Sequence, residues 1–389
     1  MLAIRAARLL PGAGAPAVSP VMVLAEAGRV LDVDGRGNPP PPGVEVVDLG
    51  DATLVPGLVD AHLHLGFDAG SDVVTPLLED DDAAHMATME AGAAATLASG
   101  VTTARDLGDR RYLSLVLRER LRTDPALGPE LLVSGPPITR TGGHCWFLGG
   151  EADGVAALEA AVAERADRGC DVVKVMATGG VLTPGFPPHE SQYGPEELGA
   201  VVATARSRGL PVAAHAHGRQ GVVDSVNAGV DSVEHCTFFG AEGVDFDWPV
   251  IHRMAALGTY AGFTLAVIPG MSPPPVVARA LEVLYATVEG VHRAGARIVC
   301  SSDAGIAPSK PHGVLPHGVV LLAGLGLTNA EAIETATGVA AACCGVGDRK
   351  GRVAAGFDAD LVALDGDPRA DIRSLLRPVA VFRAGVRVP

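Results

Sequence analysis

The sequence lacks several features that commonly announce a function. Only 4% of its 389 residues are aromatic and only 19% are charged. It has no basic excess: 30 Lys and Arg stand against 45 Asp and Glu, a formal charge of −15. A nucleic-acid scaffold would show a basic face or stripe, so the composition speaks against that class. No apolar run reaches the ~18 residues that suggest a membrane span. The six cysteines are scattered, with only Cys343 and Cys344 adjacent, and no C-x-x-C occurs. Neither a disulfide framework nor a cysteine zinc site is indicated, and a reducing, cytoplasmic setting is expected. The N-terminal stretch MLAIRAARLLPGAGAPAV has an apolar patch, but Arg8 interrupts it, which argues against a secretory leader. Long charged or low-complexity runs are missing as well. With 48% apolar residues the chain reads as a folded protein.

What is abundant is small residues and histidine: 49 Gly, 29 Pro and 12 His. Dividing the length by about 150 residues per domain gives roughly 2.6, a prior that a single α/β barrel would break. The middle of the chain alternates short apolar runs with helical stretches. Eight runs read as strands: Leu54–Asp60, Val101–Leu107, Glu130–Ser134, Asp171–Met176, Pro211–His215, Asp231–His235, Thr259–Val267 and Ala296–Asp303. Most lack polar alternation, as expected of parallel strands buried on both faces. Helical stretches between them include Ala83–Ser99, Val155–Arg168, Pro195–Arg208, Gly221–Ala228 and Val276–Ala294, several ending in glycine. Helix, glycine, apolar strand is the repeated theme, and it predicts a (β/α)8 barrel over residues 54–350. Residues 1–53 and 351–389 carry short strand-like pieces between Pro/Gly turns, Arg352–Ala354 among them. They are expected to pair into one small sheet domain.

Histidines cluster where these strands end. His62 and His64 follow Leu54–Asp60, and residues i and i+2 of an extended chain point to one side. His215 and His217 end the fifth run, His235 the sixth, and Asp303 the eighth. A lone strand-end histidine often hydrogen-bonds a loop, and Asp before Ala-Gly suits a turn. Four of eight strands ending in a possible ligand, all at one end, instead points to a metal site. Lys174 lies inside the apolar run Asp171–Met176. An unpaired ammonium there is costly to bury; either its stem snorkels or it finds a carboxylate, or CO2 has converted it to a carbamate. Spacing alone leaves these open.

The ordered motifs VPGLVDAHLHLG, VKVMATGG, VAAHAHG, GVDSVEHC and SSDAG resemble the metal-dependent amidohydrolase superfamily, in particular its imidazolonepropionase-like and Xaa-Pro-dipeptidase-like members. The tail GRVAAGFDADLVALDGDPRADI is similar to the segment with which that family completes a β-sandwich from both termini. The resemblance implies a distorted TIM barrel with a binuclear centre at the strand C-termini. By position, His62, His64, His215, His235 and Asp303 match metal ligands, and Lys174 matches a carboxylated lysine bridging two divalent ions. Histidine and carboxylate ligands suit zinc, although manganese or iron would fit the same set. His217 falls outside the matched ligands and is expected beside them or facing substrate. In the implied mechanism two ions share a water and lower its pKa. Asp303 takes the proton and returns it to the leaving nitrogen.

Substrate contacts are read from loops. His144 follows Gly142-Gly143, and relatives carry a Gly-Gly-His here, which implies contact with the reacting carbonyl or a substrate carboxylate. Trp146 is expected to wall the pocket with Phe147, and Tyr193 to hydrogen-bond substrate. Arg105 and Asp106 read as a structural pair. His189, His312 and His317 lie near the expected barrel mouth, and His85, His252 and His292 read as helix-surface or packing residues. The leading expectation is hydrolysis of a C–N bond in a small amide, peptide-like or cyclic-amide molecule. Deamination or lactone and ester opening on the same centre is the alternative, and a non-catalytic scaffold is disfavoured because every matched ligand is present. Neither nucleic acid nor membrane is an expected partner. Homo-oligomers are common among such barrels, but no heptad or repeat specifies one here.

Overall fold

Eight strands in the middle of the chain run parallel: β1 Leu58–Leu63, β2 Val101–Asp106, β3 Glu130–Val133, β4 Val173–Met176, β5 Val212–Gly218, β6 Ser232–Gly240, β7 Tyr260–Phe263 and β8 Arg297–Cys300. The computed structural model describes residues 1–271 and 275–389. Every residue of β1, β2, β4 and β5 is buried, which explains why they show no regular polar alternation. Helices such as Val155–Asp167, Pro195–Ser207 and Arg219–Ala228 cover the outer faces, placing Val162, Val201 and Val226 in the main core.

β1, β2 and β3 form one parallel sheet, and β4 to β8 form a second in sequential order. The two meet at seams marked by single parallel bridges, Ile138 with Val175 and Leu63 with Ala304. The ladders therefore form two open sheets where the sequence predicts one closed ring. They stop where the backbone turns away: β8 ends at Cys300, ahead of Asp303 at φ 55°, and Gly135 at φ 64° follows β3.

The expected run Leu54–Asp60 is in fact two strands. Thr53–Pro56 pairs antiparallel with Leu361–Leu364, and β1 begins at Leu58. Gly57 makes the switch: its N–H donates to the Asp360 carbonyl, and a Cβ here would lie 2.1 Å from Thr102 Oγ1. Thr53–Pro56 thus joins a five-stranded sheet with Arg8–Leu9, Leu361–Leu364, Pro378–Arg383 and Val386–Arg387. A four-stranded sheet holds Leu2–Ala6, Val21–Glu26, Arg29–Asp34 and Glu45–Asp48. Ile4, Val23, Leu54, Leu361 and Phe382 from the two sheets share one apolar cluster. Arg352–Ala354 does not form the predicted strand; Val353 is buried singly, its N–H bonded to the Pro11 carbonyl.

A buried cation ties the terminal sheets to the strands of the middle. Lys350 Nζ lies 2.6 Å from Asp360, 3.0 Å from Asp358 and 3.0 Å from Glu130 of β3. Without the cation Asp360 loses its cationic partner, while Glu130 and Asp358 keep Arg349, so the loss falls at the low end for a broken buried pair, about 3 kcal/mol. Lys350→Met is expected to lower unfolding stability in urea by about that amount, and a midpoint equal to wild type would show the cluster to be neutral.

Candidate metal centre

The parallel strands deliver six candidate ligands to one end of the fold. His62 lies within β1 and His64 just beyond it, and their Nε2 atoms are 3.3 Å apart, on one side as i and i+2 require. Asp303 Oδ1 lies 3.5 Å from each of these nitrogens. On the opposite strands, His215 and His217 of β5 approach His235 of β6, with 3.0 Å between His235 Nε2 and His215 Nδ1. Within each triad, His62–His64–Asp303 and His215–His217–His235, the possible ligand atoms lie within 4.8 Å of one another, so each could hold a metal ion. His217, expected outside the ligand set, stands inside the second triad, its ring stacked 4.2 Å from that of His235. The reason is the strand period of two, which puts His215 and His217 on one side.

Each imidazole is held from behind by an oxygen. His62 Nδ1 meets Glu234 Oε2 at 3.0 Å, His64 Nδ1 the Gly108 carbonyl at 3.1 Å, and His215 Nε2 the Gly179 carbonyl at 3.0 Å. These acceptors hold the N–H on the outer nitrogen and leave the other lone pair aimed inward. His217 Nδ1 meets Thr237 Oγ1 at 2.9 Å; that hydroxyl donates to the His217 carbonyl, so it accepts from the ring. His235 Nδ1 contacts Thr264 Oγ1 at 2.8 Å. Burial keeps the rings neutral: it drives His64 down to about 3 and His217 to about 4, and holds His62, His215 and His235 low as well. Burial pushes the Asp303 carboxyl up, but the cationic Lys310 and Lys174 beside it help to hold it below its usual value. Two ligand candidates occupy left-handed backbone, His235 at φ 69° and Asp303 at φ 55°. Strain of this kind tends to collect at functional sites.

Lys174 of β4 points into the same space, with Nζ 3.5 Å from His62 Nε2. It is buried, and burial lowers its ammonium to about 8. His144 also reaches the centre, its ring 4.7 Å from that of His215. Gly180 makes room for it: a Cβ there would sit 2.2 Å from His144 Nε2. The His144 backbone is held by Gln192 Oε1 at 2.7 Å, while its buried Nδ1 has no partner among the described residues. These side chains form the floor of a cavity of about 610 Å3.

Two expected substrate contacts lie elsewhere. Tyr193 is a core residue, 2% exposed, and its hydroxyl donates to the Ala152 carbonyl at 2.8 Å, so it does not line the cavity. Trp146 sits on a short 3-10 turn, Trp146–Leu148, where it is 44% exposed; Cys145 and Leu148 line the cavity in its place. Among His189, His312 and His317 only His317 lines the cavity, and His312 instead bonds the Phe67 carbonyl. Arg105 and Asp106 do not pair. Adjacent strand residues point to opposite faces, so Arg105 bonds Glu234 Oε1 at 3.0 Å while Asp106 accepts from the Leu65 and Gly108 amides. His85 is fully buried.

Glu234 is the residue that motif reading missed. It bridges His62 and Arg105, and Ser232 Oγ donates to it at 2.6 Å. Burial pushes its carboxyl up, but the His62 hydrogen bond and the Arg105 charge outweigh that and hold it well below the usual range. The available signal was a carboxylate in an otherwise apolar strand, directly before His235.

With this geometry, the chain belongs to the amidohydrolase family, which it matches over residues 53–388. It is a hydrolase of the group that acts on C–N bonds. Among solved structures it resembles an Xaa-Pro dipeptidase with methionine bound in its active site, with 28% identity, 99% of each chain covered and a TM-score of 0.89. Ochratoxinase of Aspergillus niger is 27% identical over 97% of this chain and 84% of its own length. Imidazolonepropionase of Acidiphilium cryptum is 25% identical over 94% and 93%.

Glu234→Gln keeps the shape but weakens the hold on the His62 N–H. Metal affinity, read by competition with a chromogenic chelator, is expected to drop roughly 10- to 100-fold; an unchanged affinity would remove Glu234 from the centre.

Proposed function

We propose that this protein is a binuclear metal-dependent hydrolase that cleaves a C–N bond in a small amide, peptide-like or cyclic-amide molecule. One observation carries the reading: five neutral histidines and one carboxylate converge at the C-terminal ends of parallel strands, each ring backed by an oxygen. In this reading the two open sheets are one distorted barrel over residues 54–350. The terminal sheets are a small sandwich built from residues 1–53 and 351–389.

The donor set fits two divalent cations. His62, His64 and Asp303 would hold one, and His215 and His235 the other, with His217 close enough to compete. Imidazole and carboxylate donors in this number suit zinc. Lys174 would bridge them as a carbamate: its neutral amine adds CO2, an N–C bond forms and one proton leaves. The lowered ammonium pKa of about 8 makes the reactive neutral amine accessible. When bound, the cations would acidify a shared water and polarise the carbonyl under attack.

The chain's own residues manage protons and position. Asp303, kept ionised, accepts the proton of the attacking water and passes it to the leaving nitrogen, which an amine needs in order to depart. Cys145 Sγ lies 3.5 Å from His144 Nε2, and burial pushes its thiol up to about 12, so it stays protonated and can donate to that nitrogen. His144 then carries its N–H on the buried Nδ1, which has no partner among the described residues. The dipeptidase and ochratoxinase likenesses support an amide as the bond cleaved.

Metal-loaded Asp303→Asn is expected to lose about 10^2–10^4 in kcat on any amide the wild type hydrolyses; equal turnover would sink the assignment. Enzyme prepared with labelled bicarbonate should show a carbamate carbon resonance that vanishes in Lys174→Ala. An active, metal-loaded wild type without that resonance would overturn the bridge.

A further inference from the structure

We propose that the substrate is an amide whose larger substituent is uncharged, bulky and apolar, an aryl or branched alkyl group seated against the helix Pro275–Arg293. This rests on the hydrolase reading above and deepens it. The argument begins with that helix. Val277, Leu281, Leu284 and Tyr285 follow the i, i+4, i+7, i+8 pattern of one helical face, and all four line the cavity. Further along, Val288 and Val291 enter the protein core. The first half of the helix thus turns its apolar face to the space above the histidines. Val320 and Leu321 of the helix Leu315–Gly324 line the same space.

Two hydroxyls of the floor are occupied. Thr237 and Thr264 back His217 and His235. Among the described residues, the lysines and arginines lining the cavity are Lys174, Lys310 and Arg373. Lys174 belongs to the metal centre. Lys310 is buried, and its ammonium donates to the carbonyls of Thr264 at 2.7 Å, Ala266 at 3.2 Å and Ser302 at 2.7 Å. An ammonium has three N–H donors, so Lys310 has none left for a substrate carboxylate. Arg373 is exposed on the turn Ile372–Leu376. A charged group against Val277, Leu281 and Leu284 would lose its water without gaining a partner from these side chains.

Size points the same way. The cavity measures about 610 Å3. That is the range of drug-sized ligands, larger than a pair of small residues. Each methylene moved from water onto these walls is worth roughly a three- to fourfold gain in kcat/KM, from about 0.8 kcal/mol per buried CH2.

The test uses the zinc-loaded full chain and two amide series. One fixes the amine and lengthens the acyl group from acetyl through hexanoyl to phenylacetyl; the other fixes acetyl and enlarges the amine. A rise of about three- to fourfold per methylene in either series supports the proposal. Flat or falling kcat/KM in both, in an enzyme that cleaves the acetyl amide, overturns the substrate class and leaves the hydrolase reading intact. Failure to cleave any member overturns both. Leu281→Asp puts a carboxylate on the wall and is expected to lower kcat/KM for the bulkiest member at least tenfold. Should it not fold, the milder Leu281→Ala is expected to reduce the slope of the series. A folded variant with the wild-type slope would overturn the seat assigned to the helix.

Discussion

Five imidazoles can share one buried space only because each has an oxygen behind it. Without Glu234, the Gly108 and Gly179 carbonyls and the hydroxyls of Thr237 and Thr264, the rings would be free to choose tautomers and to pair with one another. A ring pair that shares a proton offers one lone pair where a cation wants two. A carbonyl or carboxylate, or the Thr237 hydroxyl that already donates elsewhere, holds a proton on the outer nitrogen and frees the inner one. The rest of the fold follows from supplying those oxygens. Gly179 comes from the loop after β4, Gly108 from the loop after β2, and Glu234 from the middle of β6. None of the three belongs to the strand whose histidine it holds.

The same constraint explains why the sheets are not regular. Most candidate ligands project from paired strands, but Asp303 is reached only after the chain leaves the ladder, and pairing thins out at the seams near it and near the His144 loop. Arg105 repairs the interior across this gap. From β2 it reaches the Ala61 carbonyl of β1 at 2.7 Å and Glu234 of β6 at 3.0 Å. A buried guanidinium-carboxylate pair of this kind adds little net stability, but it is costly to break on one side. Here it fixes the carboxylate that fixes His62.

Much of the architecture was legible in the sequence. The eight parallel strands lie where mostly apolar runs without alternation occur, because burial on both faces leaves no solvent side to set a polar period. Boundaries shifted where a turn carries chemistry: the eighth run ends at Cys300, short of Asp303, and the first divides at Gly57. The histidine clusters were legible because i and i+2 on a strand must share a side. Tyr193 and Trp146 were not, since neither a loop position nor an aromatic type says which way a ring faces; one turned into the core and the other to solvent.

By itself the sequence determined the family, the parallel α/β plan and the residue types of the candidate ligands, since strand period and residue chemistry are local properties written in short motifs. Only the tertiary structure decided which nitrogen of each histidine faces inward, that His217 joins His215 and His235, and that Lys310 spends its ammonium on backbone carbonyls. Those outcomes depend on atoms brought together from distant strands and loops. The Glu234–His62 contact, for instance, spans 172 positions of chain. Partnership at that separation is set by packing, and no pattern in a single sequence encodes it.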